Sequence, residues 1–180
     1  MKTKIFGGKK ITIRILLKYD LRNVKKFQDF INSLIDEEVK LALNQRQSIK
    51  EEKNWLKKEL KNIKNKKKVV LIAEHNSVII GVTDISVDLW RRNHVSNFSI
   101  TIRSGYRGIG LGKYLMGEIL KLAKKELKPK PKIIRLSVFA NHKPAISLYK
   151  KYGFKEVARI PKQLFYSGKL IDEVIMLLYL

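Results

Sequence analysis

The stretch Gly105-Tyr106-Arg107-Gly108-Ile109-Gly110-Leu111-Gly112 decides how this chain is read. Before it, VSNFSITI (95–102) alternates polar and apolar residues from Asn97 to Ile102, the pattern of a strand covered on one face. After it, Leu111, Leu115, Ile119, Leu122 and Ala123 recur at helical spacing. Lys121, Lys124 and Lys125 load the C-terminal half of that run, where the helix dipole favours cations. Glycines between a strand and a helix N-terminus leave backbone N–H groups free to converge on an anion, and the dipole adds positive potential. Three alternating glycines exceed what a plain tight turn needs, so the chemical reading is a phosphate-binding turn.

Two common phosphate loops are excluded. A Walker A loop would place Ser or Thr after Lys113, where Tyr114 stands, and position 107 is Arg. The dinucleotide fingerprint is excluded by the GxGxG spacing at 108, 110 and 112. No strand is read at the start of the chain, and no acidic partner follows about twenty residues on.

Working outward, ITIRILL (11–17) reads as a first strand. Asp20 is the expected N-cap of a helix carrying Leu21, Val24, Phe27, Phe30, Ile31 and Leu34 on one face. LALNQRQ (41–47) continues that helix or forms a loop. Ser48-Ile49-Lys50-Glu51 has the capping-box form and opens a second helix with Trp55, Leu56, Leu60 and Ile63 inward. VVLIAE and VIIGVTDISV flank a His75-Asn76-Ser77 turn and predict a β-hairpin. Beyond the glycine turn and its helix, Lys128-Pro129-Lys130-Pro131 stops the helix, and IIRLSVF (133–139) is a buried-type strand. Pro144 fits the first turn of a short helix that ends at Gly153. Two closing strands, around KEVARI and EVIMLLYL, meet near Ser167-Gly168. The expectation is an α+β fold in a single domain over residues 1–180, with its core from about residue 11.

Composition bounds the partners. The 180 residues carry 39 Lys+Arg against 16 Asp+Glu, a formal charge of +23, and no cysteine. Without cysteine there is no disulfide framework, thiolate metal site or Cys nucleophile, which suits a reducing cytoplasm. His75, His94 and His142 have no paired ligand spacing, so no metal site is expected. The N-terminus lacks a signal-type apolar region, and ITIRILL is too short and too interrupted by Arg14 to cross a bilayer. A soluble protein without membrane contact is the expectation. The charge itself invites an RNA- or ribosome-binding reading. Lysine is nevertheless scattered, with short runs at 57–58, 66–68 and 124–125, and no RNP-like signature or zinc finger accompanies it.

Arg107-Gly108-Ile109-Gly110-Leu111-Gly112 resembles the R/Q-x-x-G-x-G/A motif of the GNAT superfamily of acetyl-CoA-dependent N-acetyltransferases. A second segment, LSVFANHKPAISLYKKYGF (136–154), looks like that superfamily's strand–loop–helix ending in A-I-x-L-Y-x-x-x-G-F. The resemblance implies a mixed, mainly antiparallel sheet flanked by about four helices. The sheet would splay between strands 4 and 5, which in this reading are VSNFSITI and IIRLSVF. It implies direct, sequential transfer of an acetyl group from acetyl-CoA to a primary amine on a small molecule, an amino-acid-like compound or a protein. Arg107, Gly108, Ile109, Gly110, Leu111, Gly112 and Lys113 would take the CoA pyrophosphate, and Thr101, Ile102 and Arg103 would pair with the pantetheine arm. Tyr149 aligns with the tyrosine that protonates the departing thiolate, a role that a phenol fits because the two pKa values are within about two units. The cofactor-contacting Asn falls at His142, with Asn141 one position earlier, so both are candidates. The alternative is a basic RNA- or ribosome-associated module on the same scaffold.

The resemblance leaves two parts of the chemistry open. The carboxylate bases common in the superfamily fall at Asn97 and Ser137 here. His94, Asp84 or a water chain through Asn97 and Ser99 are the remaining proton acceptors. The acceptor side would be lined by about Asp36–Ser48 and Phe165–Glu173, where Asp36-Glu37-Glu38 and Asp172-Glu173 are acidic islands suited to a cationic amine or simply to balancing nearby lysines. Pairing of edge strands or C-terminal segments is compatible with a homodimer.

Overall fold

In the computed structural model, which describes residues 1–180, the alternating run before the glycine turn is a strand at the centre of one eight-stranded sheet. The strands are β1 (Lys2–Phe6), β2 (Lys9–Ile15), β3 (Lys68–His75), β4 (Val78–Val87), β5 (Val95–Ile102), β6 (Ile133–Phe139), β7 (Lys155–Tyr166) and β8 (Lys169–Tyr179). Four α-helices accompany them: α1 (Val24–Asp36), α2 (Ile49–Lys64), α3 (Leu111–Glu126) and α4 (Lys143–Lys151). The strand order is β1-β2-β3-β4-β5-β6-β8-β7, and every pairing is antiparallel except β5 with β6. The turn at Asn76 and Ser77 has both residues at positive φ (49° and 63°), the geometry of a two-residue hairpin loop.

The amphipathic faces decide the layers. Phe27, Phe30 and Leu34 of α1 and Leu56 of α2 bury against Val70, Ile72 and Val82 on one face of the sheet. Leu111, Leu115, Met116 and Ile119 of α3, with Tyr149 of α4, bury against Ile85, Phe98, Ile134 and Met176 on the other. Full burial of each such side chain contributes about 1.5–3 kcal/mol, so the two cores fix which face each helix covers.

The expected splay is present, and its cause lies in the pairing. β5 and β6 are in register only at Val95–Ile133, Ser96–Ile134 and Asn97–Arg135. Beyond that point β6 stays bonded to β8 out to Phe139–Glu173, while β5 stays with β4 out to Gly81–Ile102. The strands part at Phe98, where the rings of Phe98, Tyr149 and Phe154 form a triangle with centroids 5.9, 6.1 and 6.3 Å apart. Because β1 precedes the first strand read from sequence, the splayed pair is β5 and β6 here.

That extra strand is the main correction. Where no strand was read at the start of the chain, Lys2–Phe6 pairs with Lys9–Ile13 around a turn in which Gly7 and Gly8 have φ of 51° and 75°. β1 was illegible because it is an exposed edge strand whose lysines obscure any apolar alternation. It braces the glycine turn. A Cβ on Gly7 would come within 2.8 Å of Ile109 Cγ2, Phe6 packs on Tyr114 at 5.5 Å, and Lys2 pairs with Glu118 at 2.6 Å.

Asp20 is also corrected. It is not the N-cap of α1, which begins after Asn23; it sits in a short 3₁₀ turn, Lys18–Arg22. Its carboxylate is fully buried and takes two hydrogen bonds of 2.9 Å from the Arg14 guanidinium, which also reaches Glu74 at 2.8 Å. A charged pair removed from water needs this bidentate geometry, and the same carboxylate closes the 3₁₀ turn by accepting the Leu17 N–H at 2.8 Å. Residues 41–47 form a loop, and the capping box at Ser48 and Glu51 is as expected.

Candidate active site

The glycine turn runs from the end of β5 to the first residue of α3. Gly108 and Gly110 hold φ of 76° and 88°, which L side chains rarely adopt, and a Cβ there would meet nothing within 4 Å. Conformation, not crowding, therefore demands glycine. The consequence is in the donors: no backbone N–H from Arg107 to Lys113 makes a hydrogen bond within the protein, and the helical ladder starts only with Tyr114 N–H to Gly110 O at 3.1 Å. This is a continuous row of unanswered donors at a helix N-terminus, the arrangement that binds a phosphate. Such a row suits a phosphate or diphosphate group.

The three basic side chains nearest to it in sequence, Arg103, Arg107 and Lys113, behave differently. Arg103 turns onto α1, where its Nε donates to Ser33 Oγ and an Nη to Asp29 O, both at 2.7 Å. Arg107 donates to Ile102 O at 2.6 Å and pairs with Glu37 at 2.7 Å. Glu37 also accepts from the Ser104 N–H at 3.3 Å, so this carboxylate at the end of α1 latches the turn. Lys113 is exposed and unpaired.

The splay opens into two adjoining cavities. One, about 280 Å³, is lined by Thr101, Ile102, Arg107, His142 and residues 37–41. The next, about 320 Å³, includes Thr101, His142, Ser99, Ser137, Glu173 and Tyr149. The structure thus brings Thr101, Ile102, Arg107, His142 and Tyr149 together, while Asn141 is exposed and lines neither cavity; its carbonyl accepts from Lys40 Nζ at 3.2 Å. His142 stands at the N-cap position of α4 without a side-chain cap bond, and burial together with Lys40 and Arg107 lowers its pKa, which favours the neutral ring at pH 7. Tyr149 is buried, its hydroxyl has no protein partner, and burial pushes its pKa up to about 12. It therefore stays a protonated phenol across the physiological range.

Residues 37–48 arch over these cavities. Tyr166 at the end of β7 donates its hydroxyl to Glu38 O at 2.8 Å, and Lys40 lies 5.6 Å above the Tyr166 ring. Of the acidic islands, Asp36 pairs with Arg46, Glu37 with Arg107, and Asp172 accepts from the Lys162 N–H at 3.0 Å. Glu173 has no partner and lines the Tyr149 cavity.

The proton-acceptor candidates separate in the same way. His94 is exposed just before the far end of β5, roughly 26 Å along the strand from Ile102 at about 3.3 Å per residue. Asp84 is held by Lys68 at 2.9 Å and by the Ser99 hydroxyl. A further carboxylate was missed: Glu52 of α2, 7% exposed, lines a cavity of about 280 Å³ between α1, α2, β4 and β5. The available signal was helical spacing, since Glu52 precedes Leu56 by one turn and Ile63 by three on the apolar stripe.

A mainly antiparallel sheet whose one parallel pair parts beside a row of free amides at a helix N-terminus defines an acyl-CoA-binding class of fold. The sequence profile described as the Acetyltransferase (GNAT) family matches residues 31–154, and the chain belongs to that family. A curated relative, the L-amino acid N-acetyltransferase AaaT of Escherichia coli (strain K12), is 34% identical over 107 residues, 59% of this chain and 65% of its own length. The chain thus spans just under two thirds of that relative. The GNAT-family acetyltransferase of Streptococcus pneumoniae superposes with a TM-score of 0.81 at 23% identity, covering 94% of this chain and 99% of that one. The yncA protein of Salmonella typhimurium, solved with its cofactor acetyl-CoA, gives 0.77 at 18% identity, covering 94% and 93%. No helix is long and apolar enough to cross a membrane.

Proposed function

We propose that this protein is an acetyl-CoA-dependent N-acetyltransferase that moves an acetyl group directly to a primary amine, in the cytoplasm. One observation carries the reading: the unanswered amides of Arg107–Lys113 continue the open edge of β5, and that edge leads to the unpartnered hydroxyl of Tyr149. An extended, anion-bearing ligand fits that path, and acetyl-CoA when bound supplies an activated thioester.

The residues divide the work. The Arg107–Lys113 amides hold the pyrophosphate with help from Lys113, and Ile102, on the open edge of β5, offers its N–H to the pantetheine arm. Thr101 and Arg103 alternate with it and face β4 instead: the Arg103 N–H donates to Ile80 O, and its carbonyl accepts from the Tyr106 N–H. An N–H on the open edge of β5 polarises the thioester carbonyl, a donor fixed in place before reaction. Tyr149 donates its phenolic proton to the departing sulfur. Burial that raises the phenol to about 12 widens its gap from a free thiol, and the transfer is matched to the extent that the same pocket also raises the proton affinity of the departing thiolate. His142, being neutral, is suited to contact the bound donor without adding charge.

The acceptor enters beneath the 37–48 arch. Glu173, unpartnered beside Tyr149, attracts an ammonium group, and the relative named for L-amino acids supports an amino-acid-like acceptor. The exposed edge of β7 is where a second copy would pair.

Thermal unfolding with acetyl-CoA is the test. Ligand at a thousandfold over Kd adds about 4 kcal/mol of stability if only the folded state binds. Unchanged Tm at millimolar acetyl-CoA would overturn the reading. Tyr149→Phe should keep the Tm shift and lower kcat by about 100-fold or more; an unaltered rate removes Tyr149 from the mechanism.

A further inference from the structure

The cavity lined by Glu52 has three unusual properties together. Its walls are aromatic and aliphatic, with Phe27, Phe30 and Ile31 from α1 and Trp55 from α2; the Phe27 and Trp55 rings are 6.2 Å apart. It adjoins the Tyr149 cavity, because Leu41, Ala42, Ser99 and Thr101 line both. And it holds one buried carboxylate that makes no hydrogen bond or ion pair within the protein.

The charges around Glu52 sharpen this. Asp84 is the only other ionisable group lining the cavity, and it is satisfied by Lys68 at 2.9 Å and by Ser99 Oγ. Glu59, two turns further along the same face of α2, takes the other side of Lys68 at 2.8 Å. One lysine thus serves two carboxylates, leaving no cation for Glu52. Position in the helix does not explain it either. Glu51, its neighbour, already answers the Ser48 N–H at 2.7 Å and completes the cap. An unpaired buried carboxylate is costly unless a ligand group meets it.

We propose that this cavity takes the side chain of an apolar primary amine and that Glu52 accepts the proton of its ammonium group. The inference rests on the acetyltransferase reading and names its acceptor class. Tyr149 belongs to the α3–α4 face of the sheet and Glu52 to the α1–α2 face, so the two acid–base groups flank the splay from opposite sides. The amine nitrogen loses two protons in the reaction. The first passes to Glu52 and then to solvent, freeing the lone pair that forms the C–N bond. As the C–S bond breaks, the sulfur takes the Tyr149 proton, and the second nitrogen proton restores the phenol. Burial raises the Glu52 pKa to about 7, which suits a group that must take and release a proton at neutral pH. Aromatic walls favour an amine with an aryl or branched alkyl chain, and their faces also stabilise its cation.

The experiment uses the full chain with acetyl-CoA and phenethylamine, isoamylamine, L-phenylalanine and spermidine as separate acceptors. Wild-type protein should favour the apolar amines over spermidine, with kcat/KM rising through about pH 7. Glu52→Gln should keep the acetyl-CoA Tm shift, lower kcat/KM by about 100-fold or more, and lose that limb of the pH profile; Glu52→Asp should restore part of both. A Glu52→Gln enzyme with unchanged rate and profile overturns the proposal and leaves the acetyltransferase reading intact. So does a wild-type enzyme that binds acetyl-CoA but acetylates spermidine best, or none of the apolar amines. Loss of the acetyl-CoA Tm shift in the wild type overturns both.

Discussion

The glycine turn and the inner face of α2 both present polar groups without protein partners, and they do so with opposite charge. At the turn the groups are backbone N–H donors, set by positive φ at Gly108 and Gly110 and open to solvent. On α2 the group is a side-chain carboxylate largely buried in a cavity lined by Phe27, Phe30 and Trp55. Free donors in water cost little and wait for an anion; a buried carboxylate is destabilised and changes its proton affinity instead. A cheap binding site and a costly acid–base group are thus built by the same device on the two sides of one sheet.

Breaking the turn should have the larger effect. Gly110→Val forces a β-branched residue to φ near 88°, which costs about 1–3 kcal/mol or moves the amides out of line. Acetyl-CoA affinity should fall about 100-fold by isothermal titration, while Glu52, on a different element, keeps its pKa. Equal loss with Gly110→Ala and Gly110→Val would support conformation as the cause; retained affinity would show that the amide row is not the anchor.

These two regions also differ in how far sequence revealed them. The turn was legible because its function is written as a conformational demand, and only glycine meets that demand at several nearby positions. Tyr149 was singled out by its neighbours in LSVFANHKPAISLYKKYGF, which resembles a known segment, and it lines a cavity of the splay. Glu52 was hidden by Glu51, since one acid already explains the capping box and a second reads as a dipole-complementing neighbour. Its burial comes from how α1 and the 41–47 loop close over α2, a tertiary fact with no local pattern. Asp20 failed for the same reason, because Arg14 and Glu74 reach it only once the sheet forms. β1 escaped as an exposed edge, yet its turn presses Gly7 against Ile109 and so supports the one region that was legible.

The smaller, sharper consequence on the α2 side is a stability that depends on pH. Glu52 has a folded-state pKa of about 7 against 4.5 for the free side chain, so the folded state binds the proton more tightly. Stability should then be unaffected by Glu52 below about pH 4.5, fall as pH rises toward 7, and level off above it. Glu52→Gln removes the penalty. Chemical denaturation should find it more stable than wild type by on the order of 2 kcal/mol at pH 8, after allowance for partial solvent screening, and equal to it at pH 4. A constant difference across that range would mean that Glu52 does not titrate on unfolding.

On the turn side the smallest expected effect comes from the latch. Glu37 holds Arg107 at 2.7 Å and the Ser104 N–H at 3.3 Å, placing a negative charge beside a row of donors suited to phosphate. The pair is partly exposed, so its loss should cost only about 0–1 kcal/mol of stability. Its effect on binding has the opposite sign. Glu37→Gln removes the repulsion and releases the Arg107 guanidinium, while the glutamine can still accept from Ser104 N–H. Acetyl-CoA should bind a few-fold tighter at low ionic strength, and the gain should shrink as salt rises toward 0.5 M, where the Debye length is roughly 4 Å. Weaker binding in that variant would instead make the Arg107–Glu37 pair a support that orients the turn, so that the rigidity of the amide row, more than its net charge, sets the affinity on this side of the sheet.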